Sequence, residues 1–180
     1  MSWQSVLTGM LPEHLLLIGI VLLLVLEIVS DKPRGALALS LVVVGAATAA
    51  ASWLHFTGYA EAPFPGHFSV DPSTAAAKAV VLALAVPVLL LARDDFPEGP
   101  FYPLFLSSLY GFCLMLSSDS FLTLFLGLEI MSLPVYVLVL LAFGRPESPE
   151  AALKYLVLGG TASAMFLMGV SLLYGGSASL

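Results

Sequence analysis

FLTLFLGLEIMSLPVYVLVLLAF, residues Phe121 to Phe143, decides the architecture. The hydrocarbon core of a bilayer is about 30 Å thick and needs roughly 20 apolar residues to be crossed as a helix. This run is long enough, and Glu129 is the single Asp, Glu, Lys, Arg or His within it. It shows no period-2 alternation, and a lipid-facing sheet would have to close as a barrel, so strands are not expected. A membrane-spanning α-helix is the reading that remains.

The same pattern repeats on both sides. Upstream, the polar turn Ser117-Ser118-Asp119-Ser120 separates this run from a span at about 101–116. Arg93-Asp94-Asp95-Phe96-Pro97-Glu98-Gly99-Pro100 interrupts the chain before it, and a third span covers 74–92, with a kink expected at Pro87. A long loop from Thr57 to Ser73 holds Pro63, Pro65, Gly66 and Pro72. Spans at 36–56 and 11–29 precede it, joined by Ser30-Asp31-Lys32-Pro33-Arg34-Gly35. Downstream, Gly144-Arg145-Pro146-Glu147 ends the helix that runs over 121–143. Ser148-Pro149-Glu150 then supplies an N-cap, a first-turn proline and a first-turn acid for a sixth span, 149–174. The expectation is an all-α polytopic bundle of about six transmembrane helices, forming one membrane domain over residues 1–180.

Composition agrees with a lipid solvent. Hydrophobic residues make up 59% of the chain and charged residues 10%, with a mean hydropathy of +1.02. Soluble domains carry about 25% charged residues. The net charge of −6 excludes the dense basic footprint that nucleic acid requires. No basic run flanks a helix in the way that anionic-lipid recognition would need. Cys113 is alone, so there is no disulfide framework. The N-terminus has no Lys or Arg ahead of its first apolar run and carries Glu13 instead, which points to a retained span rather than a cleaved signal. Lys32, Arg34, Arg93, Arg145 and Lys154 cluster on one side and Lys78 falls on the other, so the N-terminus is expected outside.

Glu129 is the residue that composition does not explain. It lies about 15 Å along the helix beyond Asp119, near half the hydrocarbon depth. An ionisable group there costs about 2.5–3.5 kcal/mol on insertion scales, and so faces protein or water rather than lipid. Pro134 cannot donate to the carbonyl of Ile130, one turn from the carboxylate, which opens a place for a polar, hydratable pocket. Two readings stand: a protonated acid bonded between helices, or a protonatable relay site. Lys154 is spaced i,i+4 from Glu150, which is a common surface device. Its alternative is a buried amine that exchanges a proton with a carboxylate. Glu27 reads as interfacial, His14 and His67 as solvated, and His55 as a helix-end residue without partners at metal-ligand spacing. Met131, Met165 and Met168 read as packing residues. Gly159/Ser163 and Gly160/Ala164 are small-xxx-small pairs that permit close helix approach. No phosphate loop, CxxC pair or haem motif occurs, so no cofactor or metal is expected on this chain.

The order of residues in the last two spans is more specific. Phe121 to Tyr136, with LGLEIMSLPVY, resembles a segment of the antiporter-like subunits of respiratory complex I. So does Ser148 to Gly159, SPEAALKYLVLG, and so does Gly169 to Gly175, GVSLLYG. Within that family the pattern is most similar to the N-type subunit of the proton-pumping NADH:quinone oxidoreductase. The resemblance implies the first part of a fourteen-helix antiporter-like fold in a bacterial inner membrane. It implies membrane-arm subunits as partners, with NADH, FMN, iron–sulfur clusters and quinone handled by other subunits. By position, Glu129 matches the family's carboxylate on the fifth helix and Lys154 its lysine on the sixth, with Pro134 supporting the site. At 4 Å such a pair would interact by about 4 kcal/mol at an effective dielectric of 20, enough for a relay. Family members are longer and continue into a broken seventh helix, so a whole half-channel is not expected from these residues. A subunit of a related cation/proton antiporter, or a membrane scaffold protein without catalysis, remains an alternative.

Overall fold

A computed structural model describes residues 3–29, 35–95, 100–141 and 146–177. The elements are α1 (Trp3–Gly9), α2 (Leu11–Val29), α3 (Ala36–Phe56), β1 (Glu61–Phe64), β2 (Phe68–Val70), α4 (Pro72–Asp95), α5 (Phe101–Leu116), α6 (Phe121–Leu140) and α7 (Ser148–Ser177). Among the described residues, five helices (α2, α3, α4, α6 and α7) are long and apolar enough to cross a membrane. With 16 residues, α5 is about 24 Å long, shorter than a full hydrocarbon core, and it lies within the bundle. The chain is an all-α, multi-pass membrane helix bundle.

The core lies where α2, α3, α4 and α5 meet. On α4 the buried side chains are Ala75, Lys78, Leu82, Ala85 and Leu89, alternating three and four residues apart, which keeps them on one stripe. That stripe packs on the Ala-rich face of α3, where Val44, Ala47, Ala51 and Leu54 are buried. Gly19 lets α2 close on α3, since a Cβ there would lie 2.5 Å from Val43 Cγ1. The apolar side chains on the outer faces, such as Ile28, Val42, Leu84 and Leu91, are exposed, as expected of helices whose solvent is lipid.

The segment between α3 and α4 is more ordered than the long loop expected from its prolines. α3 ends in a Schellman turn: Tyr59 N–H donates to the Leu54 carbonyl and Gly58 N–H to that of His55, with Gly58 at φ +67°. The chain then forms the antiparallel hairpin β1–β2, turning at Gly66 with φ +78°. Strands of four and three residues, with Pro63 inside β1 and Pro65 directly after it, carry too little alternation to be read from sequence. The hairpin is fastened to the α5–α6 turn. Ser69 N–H donates to the Ser117 carbonyl, and Asp119 N–H and Thr123 Oγ1 donate to the His67 carbonyl. Ser120 caps α6 with Thr123 in a reciprocal capping box, which fixes where α6 starts and hence the depth of Glu129.

Candidate functional site

The geometry around Glu129 is set by three helices. α5 and α6 are in backbone contact: a Cβ on Gly111 would fall 2.3 Å from Met131 N, and one on Gly127 would fall 2.8 Å from Met115 N. These two contacts define one antiparallel register, which sets Glu129 at the level of Cys113. α7 covers the other face of α6. Phe125 stacks on Phe166 with ring centroids 6.2 Å apart, and Tyr136 meets Tyr155 edge to face at 5.1 Å. The Tyr136 hydroxyl fills the space left open by Gly159.

Between those aromatic contacts, Ser163 Oγ donates a hydrogen bond to Glu129 Oε1. Glu129 is half-buried. Ser163, taken from the sequence as one of the small residues that admit a neighbouring helix, is the partner of the carboxylate. The signal was the small residue itself, because Ser carries a hydroxyl where Gly or Ala would carry none. One turn on, Ser132 Oγ donates to the Leu128 carbonyl at 2.8 Å, next to Pro134, which sits inside an otherwise continuous α6.

Lys154 lies elsewhere. Its Nζ is 2.5 Å from Glu150 Oε1, on an open face of α7 where the two side chains are 70% and 69% exposed. Ser163 and Lys154 are about 13.5 Å apart along the helix axis. At that distance and an effective dielectric of 20, Lys154 and Glu129 would interact by about 1.2 kcal/mol, against about 4 for a contact pair. Glu150 offsets part of even that. The structure does not bring the two sequence-predicted residues together.

Other expectations also change. Lys78, counted from the sequence as the single base on the outer side, is fully buried and paired with Glu13. His14 is half-buried with its Nε2 enclosed, rather than solvated. His67 is exposed, and His55 Nδ1 bonds the Pro72 carbonyl at 2.8 Å, tying the end of α3 to the start of α4. Of the bases used to orient the chain, Lys32, Arg34 and Arg145 lie outside the described residues.

The profile of the family described as "NADH:quinone oxidoreductase/Mrp antiporter, TM" matches residues 118–180, the portion holding α6 and α7. NADH-quinone oxidoreductase subunit N of Laribacter hongkongensis is 38% identical over 191 residues, a match covering 100% of this chain and 38% of that protein. Its counterpart in Desulfovibrio desulfuricans is 39% identical over 177 residues, covering 94% and 34%. The chain belongs to the subunit N family. A chain of respiratory complex I from Thermus thermophilus superposes with a TM-score of 0.81 at 32% identity, over 94% of this chain and 38% of that one. A chain of the archaeal membrane-bound sulfane sulfur reductase superposes with 0.80 at 26% identity, over 96% and 38%. The chain therefore spans 34–38% of the length of these subunit N relatives. The subunit N likeness covers both the segment that holds Glu13 and Lys78, α2–α4, and the segment that holds Glu129, α6–α7.

Proposed function

We propose that this chain is part of a proton-translocating membrane-arm subunit of NADH:quinone oxidoreductase, with Glu129 as its protonatable centre. The observation that carries the reading is the Ser163–Glu129 hydrogen bond in the middle of a membrane-spanning helix pair. A carboxyl group held there by one hydroxyl can take either protonation state with little rearrangement, because a serine O–H can donate to the carboxylate or accept from the acid. Pro134 leaves the Ile130 carbonyl without its backbone donor in α6, and Gly111 and Gly127 hold α5 close so that the site stays narrow. Lys154, paired with Glu150, acts at the far end of α7 and exchanges charge with Glu129 only through intervening groups.

NADH, FMN, iron–sulfur clusters and quinone belong to other subunits in this reading, and the partners are other membrane-arm subunits. The membrane is the bacterial inner membrane. Burial of Lys78 removes the one base counted on the N-terminal side, which supports an outside N-terminus.

The test is Glu129→Gln in the assembled complex, reconstituted in vesicles. Proton release per NADH oxidised should fall sharply; undiminished release would end the reading. A second reading, a subunit of a cation/proton antiporter, is favoured by the family description, which spans both classes. Sodium-dependent transport without NADH oxidation would select it.

A further inference from the structure

Glu13 and Lys78 are the most deeply buried charged side chains among the described residues, at 1% and 0% exposure, with Oε1 and Nζ 2.5 Å apart. Beyond this contact neither Glu13 oxygen nor Lys78 Nζ has a hydrogen-bond partner among the described residues. Two further buried polar atoms without such partners among the described residues are His14 Nε2, on the residue after Glu13 in α2, and Ser117 Oγ, in the α5–α6 turn to which the hairpin is fastened. The Phe68 ring of β2 lies over Nζ, 5.1 Å from its centroid. From α5, Cys113 is within electrostatic reach of both charges and Tyr110 within reach of Glu13. Buried ion pairs are poor stabilising devices: an apolar pair of similar volume often does as well or better. Ionisable residues inside a membrane mark ion and proton pathways by default. The Glu129 site makes no use of this pair.

We propose that Glu13 and Lys78 form a second intramembrane proton-exchange site, roofed by the β1–β2 hairpin. In the exchange the N–H bond of the Lys78 ammonium breaks and an O–H bond forms on Glu13 Oε1. The pair thereby passes from charged to neutral with no net change in charge and no co-reactant. Uptake of one further proton leaves an ammonium beside a carboxylic acid, and its release returns the ion pair. Protons reach the site from the hairpin end of the bundle. There a polar cleft of about 230 Å³ opens between α1 and β1, lined by Gln4, Ser5, Thr8, Tyr59 and Glu61.

The proposal rests on the proton-translocating reading above, but its test is separable. Lys78→Arg keeps a positive partner for Glu13 while removing the exchangeable proton, because a guanidinium stays protonated in proteins. In the full-length subunit, assembled and reconstituted in vesicles with a pH-sensitive dye, Lys78→Arg should lose proton release per NADH. Full release in that variant overturns the proposal, since a purely structural ion pair would be satisfied by Arg. An independent measurement uses the native complex. Its infrared difference spectrum during turnover should contain a carboxylic-acid band that shifts in Glu13→Asp, and absence of that band also overturns the proposal. If Glu129→Gln abolishes pumping while the Glu13 band is missing, this inference fails alone. If the band is present while Glu129→Gln pumps normally, the Glu129 reading fails instead.

Discussion

Gly111→Ala should damage the Glu129 site without touching any ionisable group. A Cβ at this position would lie 2.3 Å from Met131 N, 2.6 Å from the Ile130 carbonyl carbon and 2.8 Å from Met131 Cα, where ordinary contact begins near 3.4 Å. All three atoms are backbone, so no side chain can rotate away. α5 and α6 would have to separate by about 1.1 Å, and overpacking of this kind costs about 1–3 kcal/mol. The displaced residues, Ile130 and Met131, follow Glu129 directly, so the carboxylate shifts relative to Ser163 on α7. A misplacement of about 1 Å can cost on the order of a hundredfold in a positioned reaction. The assay is a thermal stability and proton-release comparison of the assembled complex, with Gly45→Ala as control. Gly45 is exposed on α3 with nothing within 4 Å of the added methyl, so alanine there should be neutral or stabilise by about 0.5–1 kcal/mol. Native stability and native proton release in Gly111→Ala would refute the α5–α6 register from which this argument is built.

Three further outcomes are expected. Lys154→Ala should change thermal stability by no more than about 0.5 kcal/mol, the range of an exposed i,i+4 pair, and a larger loss in a melting experiment would mean that Lys154 is enclosed. Gly159→Ala should be rescued in part by Tyr136→Phe, because the added methyl meets the Tyr136 hydroxyl; the thermal midpoints of the single and double variants check this. Asp71 accepts from the Thr74 hydroxyl and backbone amide at the start of α4, and these bonds hold its carboxyl below the usual aspartate range. A folded-state value below the unfolded one means that the stabilisation is complete above about pH 4 and fades as pH falls through the folded value. Asp71→Asn should remove that acid-side loss at the α4 terminus, read by amide exchange across the pH range.

The spans were legible because their signal is a property of each segment taken alone. A helix that must cross lipid needs its own length of apolar residues whatever its neighbours do. Glu129 was legible for the same reason: one acid in a long apolar run has no local excuse. Pairing was less legible, because it depends on which faces meet. Lys154 and Glu129 lie on adjacent spans at matching family positions, yet the aromatic contacts between α6 and α7 set a register in which Glu129 meets Ser163. The hairpin was hidden because its stabilising bonds run to Ser117 and Asp119, far along the chain. Lys78 did leave a trace, since it occupies the stripe shared by Ala75, Leu82, Ala85 and Leu89. A count of charges per span passes over it, whereas a count of charges per buried stripe finds it, and on α2 the same count finds Glu13 with Leu16, Gly19 and Leu23.

The short helix α5 ties these features together. Its Cys113 is within electrostatic reach of Glu13 and Lys78 and its Tyr110 of Glu13, while Gly111 brings its backbone against α6 at Ile130 and Met131, next to Glu129. Since α5 packs on both α2 and α6, the Glu13–Lys78 pair and Glu129 are both carried by helices that adjoin this one, about 10 Å in diameter. Charges separated by about 12 Å at an effective dielectric of 20 interact by roughly 1.4 kcal/mol, a tenfold change in an equilibrium. That is too weak to lock one site to the other, and strong enough to bias it. A net charge appearing at Glu13–Lys78 would be felt at Glu129, whereas internal transfer from ion pair to neutral pair changes only a dipole and would be felt far less. Coupling across α5 would thus depend on whether a proton has entered from outside the pair. Electrostatic coupling of this kind requires no motion of α5, consistent with a helix pinned by backbone contact at both Gly111 and Gly127.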